Sequence, residues 1–121
     1  MKTILFIEDE QALQKTAGDT LREAGFEVLS ALDGEIGLRL AKDKNPDLVI
    51  LDLVLPKTNG FEVLKTLKET QETLHIPVIV LTNLEGIEDI QKVLSLGATT
   101  YLVKANYTLQ ELLAKVKSVL E

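Results

Sequence analysis

At 121 residues the chain has the length of one domain and can bury a single core. Its 19 acidic and 13 basic residues leave a net charge of -6, which opposes direct contact with nucleic acid or with an anionic membrane surface. Cysteine is absent, which excludes disulfides, thiolate metal sites and thiol nucleophiles and fits a reducing compartment, the cytoplasm.

Taken in order, the chain alternates short β-rich runs with amphipathic stretches in five pairs. Strands are predicted over 3–8, 26–30, 47–52, 77–82 and 99–103, and helices over 10–24, 34–44, 59–71, 86–96 and 108–120. That alternation points to an α/β fold with a parallel sheet, formed by residues 1–121 as one domain. The first run, Thr3-Ile4-Leu5-Phe6-Ile7, ends in Glu8-Asp9-Glu10 and is too short for a signal peptide or a membrane span. Gly25 and Gly97 are placed to stop helices in the left-handed conformation, and Asn45-Pro46 and Ile76-Pro77 precede strands. Asn59 with Glu62, and Thr108 with Glu111, have the spacing of capping boxes. In the last helix Leu109, Leu112, Leu113, Val116 and Leu120 share one face.

Asp52 stands out because it lies inside Leu48-Val49-Ile50-Leu51-Asp52-Leu53-Val54-Leu55, a run with the character of a strand buried on both faces. An acid is kept there only where the strand leaves the sheet or where its charge is compensated. The first strand also delivers acids at its C-terminal end, and in a parallel sheet those ends are neighbours. Like charges about 4 Å apart repel by roughly 4 kcal/mol per pair at an effective dielectric of 20, so a divalent cation is the simplest remedy. In such sheets ligands bind beyond the carboxyl ends of the strands. The polar residues there are Glu8, Asp9, Glu10, Asp52, Thr82, Asn83 and Lys104. Oxygen ligands suit Mg²⁺, and a hydroxyl and an ammonium suit an anionic group sitting on that metal. Glu10 also reads as a first-turn acid complementing a helix dipole. The only histidine, His75, lies in a polar stretch and reads as a surface loop residue.

These residues resemble the pattern of the receiver domain of two-component response regulators: Glu8-Asp9, Asp52 before Leu53-Val54-Leu55-Pro56, Gly60, Thr82 closing Val78-Ile79-Val80-Leu81, and Tyr101-Leu102-Val103-Lys104. The likeness extends over essentially the whole chain. It implies a flavodoxin-like (βα)5 three-layer sandwich with strand order 2-1-3-4-5. It also implies a phosphorylation-switched signalling role, with Asp52 as phosphoacceptor from a histidine kinase or histidine phosphotransfer protein. Glu8, Asp9, Asp52 and the backbone carbonyl of Val54 would hold Mg²⁺, with Mn²⁺ able to substitute. Lys104 and Thr82 would contact the phosphoryl group, and Thr82 and Tyr101 would form the switch. The fourth helix, fifth strand and fifth helix would present the changed surface to a downstream protein, and a weak homodimer through it is compatible. The only catalysis implied is the domain's own aspartyl phosphorylation and slow dephosphorylation.

Several departures from the family pattern bear on function. Glu8 stands where aspartate is commoner, and Asn83 replaces a small residue, so it either contacts a phosphoryl group or narrows access to it. Ala105 replaces a proline, and a trans bond is expected there because a cis bond before a non-proline residue costs about 2.5 to 4 kcal/mol. Val54 and Leu84 are both apolar at positions that govern water access, which predicts a slow loss of the phosphoryl group. A flavodoxin-like cofactor protein is disfavoured by the acidic loop after the first strand, a haloacid-dehalogenase-like phosphatase by Val54 in place of a second aspartate, and a Walker-type site by the missing glycine-rich lysine loop. The alternative of another class is a phosphorylation-independent interaction module on the same fold. The chain is readable either as a stand-alone receiver or as the front part of a longer regulator.

Overall fold

The computed structural model describes all residues 1–121. The elements follow in the order β1 (Thr3–Ile7), α1 (Gln11–Glu23), β2 (Glu27–Ala31), α2 (Gly34–Lys44), β3 (Leu48–Leu51), α3 (Gly60–Glu69), β4 (Val78–Thr82), α4 (Ile87–Ser95), β5 (Thr100–Val103) and α5 (Leu109–Leu120). A single 3-10 turn over Lys104–Asn106 joins β5 to the segment before α5, and no peptide bond is cis, so the bond preceding Ala105 is trans as expected. All strand pairs are parallel and the order is β2-β1-β3-β4-β5, as the resemblance implied.

The three central strands are almost wholly buried, and their near-continuous apolar sequences follow from that. Successive side chains alternate between two cores. Leu5, Ile7, Val49, Leu51, Val78 and Val80 pack toward Ala41, Val63, Leu64, Leu67 and Val93 of α2, α3 and α4. Ile4, Phe6, Leu48, Ile50, Ile79 and Leu81 pack toward Ala17, Leu21, Leu112 and Val116 of α1 and α5. The period of two along each strand thus divides ten elements into three layers.

Local chemistry sets most of the boundaries. Gly25 at φ 99° and Gly97 at φ 105° occupy the left-handed region expected after α1 and α4. The Thr108 and Glu111 pair forms the reciprocal capping box. The expected box at Asn59 and Glu62 is not formed. Asn59 Oδ1 instead accepts from the Phe61 amide at 2.7 Å, capping α3 from one side only. α3 also ends at Glu69, two residues before its predicted limit, because Thr70 turns extended and the Thr73 hydroxyl donates to the Leu67 carbonyl at 2.7 Å.

Two features aim the ends of β1 and β3 at each other. Ile7 is in register with Leu51, so Glu8 and Asp52, each one residue past its strand, leave the sheet side by side. Their amides still make ladder bonds, Glu8 N to Ala31 O at 2.9 Å and Asp52 N to Ile7 O at 3.0 Å. Gly60 then lets the start of α3 close on this exit. Its amide donates to Leu53 O at 3.0 Å, and any Cβ there would collide with the Leu53 and Asp52 backbone. Gly60→Ala is expected to lower the stability by about 1–3 kcal/mol, the usual range for overpacking, measured as a reduced urea midpoint at unchanged slope.

Candidate functional site

The two strand exits, with the start of the turn after β5, line an open cleft of about 470 Å³ formed by Glu8, Asp9, Glu10, Asp52, Val54, Asn83 and Lys104. It lies beside the point where the strand order reverses, since β2 and β3 flank β1 on opposite sides. Glu8 and Asp52 are nearly fully buried, at 1% and 4% exposure, whereas Asp9 is exposed. Lys104 Nζ reaches both buried carboxylates, at 2.6 Å from Glu8 Oε1 and 3.0 Å from Asp52 Oδ2. The remaining oxygens take backbone donors: Glu8 Oε2 accepts from Glu10 N at 3.0 Å and Asp52 Oδ1 from Val54 N at 3.2 Å.

Burial governs the protonation of Glu8, pushing its carboxyl up to about 7; the Lys104 and Glu10 hydrogen bonds pull it down and the Asp52 charge adds to the rise. Burial alone would lower the Lys104 ammonium, but its hydrogen bonds to Glu8 and Asp52 reverse this and hold it above its usual value. One ammonium thus bridges two carboxylates, Glu8 and Asp52, in a cleft that also holds Asp9. One oxygen from each of Glu8, Asp9 and Asp52 can be brought within 4.8 Å of the others, so the site offers a hard, oxygen-only donor set with an open side for water. Mg²⁺ fits that chemistry, and so does Mn²⁺.

Thr82 ends β4 beneath the cleft. It is fully buried, and its hydroxyl has no hydrogen-bond partner. Tyr101 lies away from the acids on β5, where its hydroxyl donates to the Leu84 carbonyl in the loop before α4. Burial, then the charges of Asp89, Asp52 and Glu85, raise the Tyr101 phenol. Lys92 of α4 sits 4.5 Å over the Phe61 ring of α3. The cleft therefore brings together Glu8, Asp9, Asp52 and Lys104, with Val54 at its rim, and leaves Thr82 below it and Tyr101 outside it. One residue tied to these groups escaped the sequence reading: Gln14, whose amide bonds the Glu8 carbonyl at 3.0 Å. Its signal was a polar residue on the otherwise small and apolar stripe Gln14, Ala17, Gly18, Leu21 of α1.

The family model for the response regulator receiver domain matches residues 4–117. The chain belongs to that family. This receiver is 40% identical over 120 residues to the DNA-binding dual master transcriptional regulator RpaA of Synechocystis, a match spanning 99% of the chain and 49% of RpaA. The chain spans about half the length of the curated relatives it matches. Among solved structures, it is similar to a CheY-like receiver domain protein from Methanospirillum hungatei, with 27% identity and a TM-score of 0.92 over 99% of this chain and 94% of that one. It is also similar to the Mn²⁺-bound form of response regulator Rcp1, with 30% identity and a TM-score of 0.83 over 98% and 91%. The fold is flavodoxin-like, and the family places this receiver in two-component signal transduction. No helix is long and apolar enough to cross a membrane.

The raised Glu8 carboxyl has a consequence for stability without divalent metal. A carboxyl held above its unfolded value contributes stability that is fully present below the unfolded value of 4.5 and is lost as pH rises through about 7. In chelator, the urea midpoint of the parent is expected to fall between about pH 5 and about pH 8 more steeply than that of Glu8→Gln. Equal slopes would assign the titration to another group.

Proposed function

We propose that residues 1–121 form one receiver domain whose Asp52 accepts a phosphoryl group in a cation-dependent reaction and whose altered surface carries the signal. The observation that supports this best is the pairing of a buried, lysine-bound Asp52 with the acids Glu8 and Asp9 in one open cleft.

An Asp52 carboxylate oxygen attacks the phosphorus of a phosphohistidine on a histidine kinase or phosphotransfer protein. The new P–O bond forms as the P–N bond breaks, and the imidazole leaves. Glu8, Asp9, Asp52 and the Val54 carbonyl would hold Mg²⁺ or Mn²⁺, which supplies charge neutralisation on the phosphoryl oxygens. Lys104 already bridges to Asp52 Oδ2 and is placed to transfer its ion pair to the phosphoryl group. Thr82 has a free donor below the site, suited to a phosphoryl oxygen once the loop after β4 moves inward. As space opens behind Thr82, Tyr101 would swing from outside to inside in the same movement, and its hydroxyl bond to the Leu84 carbonyl couples it to that loop. The surface of α4, β5 and α5 then changes toward a downstream protein and accommodates a weak homodimer. The domain acts catalytically on itself alone. The chemistry belongs in the cytoplasm, and the net charge of -6 argues against nucleic-acid contact by these residues.

The test is intact mass after incubation with Mg²⁺ and acetyl phosphate. The parent is expected to gain about 80 Da, the mass of one phosphoryl group, and Asp52→Asn to gain nothing. Gain by both would relocate the acceptor, and gain by neither, with no spectral response to beryllofluoride, would favour a receiver fold used for binding alone. With apolar Val54 and Leu84 flanking the site, the added mass should decay over minutes or longer after removal of acetyl phosphate. Decay within seconds would contradict that role for the two side chains.

A further inference from the structure

Gln14 occupies a position where an amphipathic helix normally places an apolar side chain. It lies on the buried stripe of α1 with Ala17, Gly18 and Leu21, at the spacing of one helix face, and is 7% exposed. Its amide nitrogen is surrounded by three carbonyl oxygens: Phe6 at 2.8 Å, Glu8 at 3.0 Å and Ala31 at 3.1 Å. Three acceptors settle which way the amide faces, since the flipped group would aim its oxygen at three other oxygens. The price is a buried Oε1 with no partner. An apolar residue would pack here without that orphan, so the packing of α1 does not explain the glutamine.

The three carbonyls do explain it. Phe6 is next to last in β1, Ala31 is the last residue of β2, and Glu8 is the first residue beyond β1. The Glu8 amide is held by Ala31 O at 2.9 Å, and Gln14 holds its carbonyl, so the backbone is fixed on both sides of the residue whose carboxylate meets Lys104 at 2.6 Å. The direction in which the chain leaves toward Asp9 is set at the same carbonyl.

We propose that Gln14 is a positioning residue for the acidic site: by fixing the Glu8 carbonyl, its amide holds the Glu8 and Asp9 carboxylates in place beside Asp52. The cation part of this inference rests on the receiver chemistry proposed above, and the placement of Glu8 does not. Groups that orient metal-binding side chains in this way typically change metal affinity by about 10–100-fold when they are removed.

The experiment compares the parent with Gln14→Leu in three measurements: urea midpoint, amide hydrogen exchange by NMR in chelator, and Mg²⁺ affinity by titration calorimetry. The expected result is a modest fall in midpoint at unchanged slope, because loss of the orphan oxygen offsets only part of the loss of the donor to three carbonyls, with selectively faster exchange at the Glu8 and Glu10 amides. The Glu10 amide is informative because it donates to Glu8 Oε2 and so reports the side chain's placement. Exchange at Ile50 and Leu51 in β3 should stay as in the parent, and Mg²⁺ affinity should fall about tenfold. Unchanged exchange at Glu8 and Glu10 would overturn the proposal, as would Mg²⁺ affinity within about twofold of a parent that binds it. A parent that binds no Mg²⁺ overturns the receiver chemistry, and the exchange data still decide whether Gln14 places Glu8. If Gln14→Leu does not fold, Gln14→Met serves in its place; loss of protection throughout both variants would overturn the proposal, because Gln14 would then hold the fold rather than the loop.

Discussion

One ammonium between two buried carboxylates is the constraint around which this site is organised. Lys104 touches Glu8 and Asp52 at once, and the three groups come from the ends of β5, β1 and β3. Without it, two nearly buried acids side by side would repel by roughly 4 kcal/mol at an effective dielectric of 20. The parallel register that puts Glu8 beside Asp52, the turn that begins at Lys104 and the glycine that admits α3 against Asp52 all serve this contact. A single lysine still leaves the cleft short of positive charge. That deficit is what makes it receptive to a divalent cation, and the exposed Asp9 marks the side from which one would arrive.

Most of the fold was legible because the apolar runs are long and their periods differ. Apolar runs of four residues, at 4–7, 48–51 and 78–81, bounded by turn signals, read as central strands of a parallel sheet, and the glycines at residues 25 and 97 marked helix ends by a conformation few other residues adopt. The acids and Lys104 were legible for a related reason, since each charged group directly follows such a run. The failures came where side chains competed for backbone groups. Asn59 had the right spacing for a reciprocal cap, but spacing does not fix which amide it bonds. Thr73 ended α3 early by taking a helical carbonyl, a choice made only in three dimensions. Gln14 was hidden because its three acceptors lie 8, 6 and 17 residues away along the chain.

The groups suited to switching are held by few contacts. Tyr101 is tied by one hydrogen bond to the loop after β4, and α4 leans on α3 partly through Lys92 over Phe61. Moving a two-state equilibrium from 1:99 to 99:1 takes about 5.5 kcal/mol. Charge-assisted hydrogen bonds of roughly 1.5–3 kcal/mol each would supply this with two to four contacts, a number that Lys104, Thr82 and nearby backbone amides can provide. In the proposed reaction, rigid strands and lightly held loops would divide the labour: the sheet would fix where charge changes, and the loop after β4 would respond.

With the switch role proposed for Thr82, its orphaned hydroxyl would set stability against responsiveness at a single atom. A buried donor left without a partner costs about 1–3 kcal/mol, and a valine of the same shape would remove that burden. Selection for thermal robustness alone would therefore drift toward the mute residue, and a stabilised version of this protein obtained in that way would be one that had lost part of its capacity to change state.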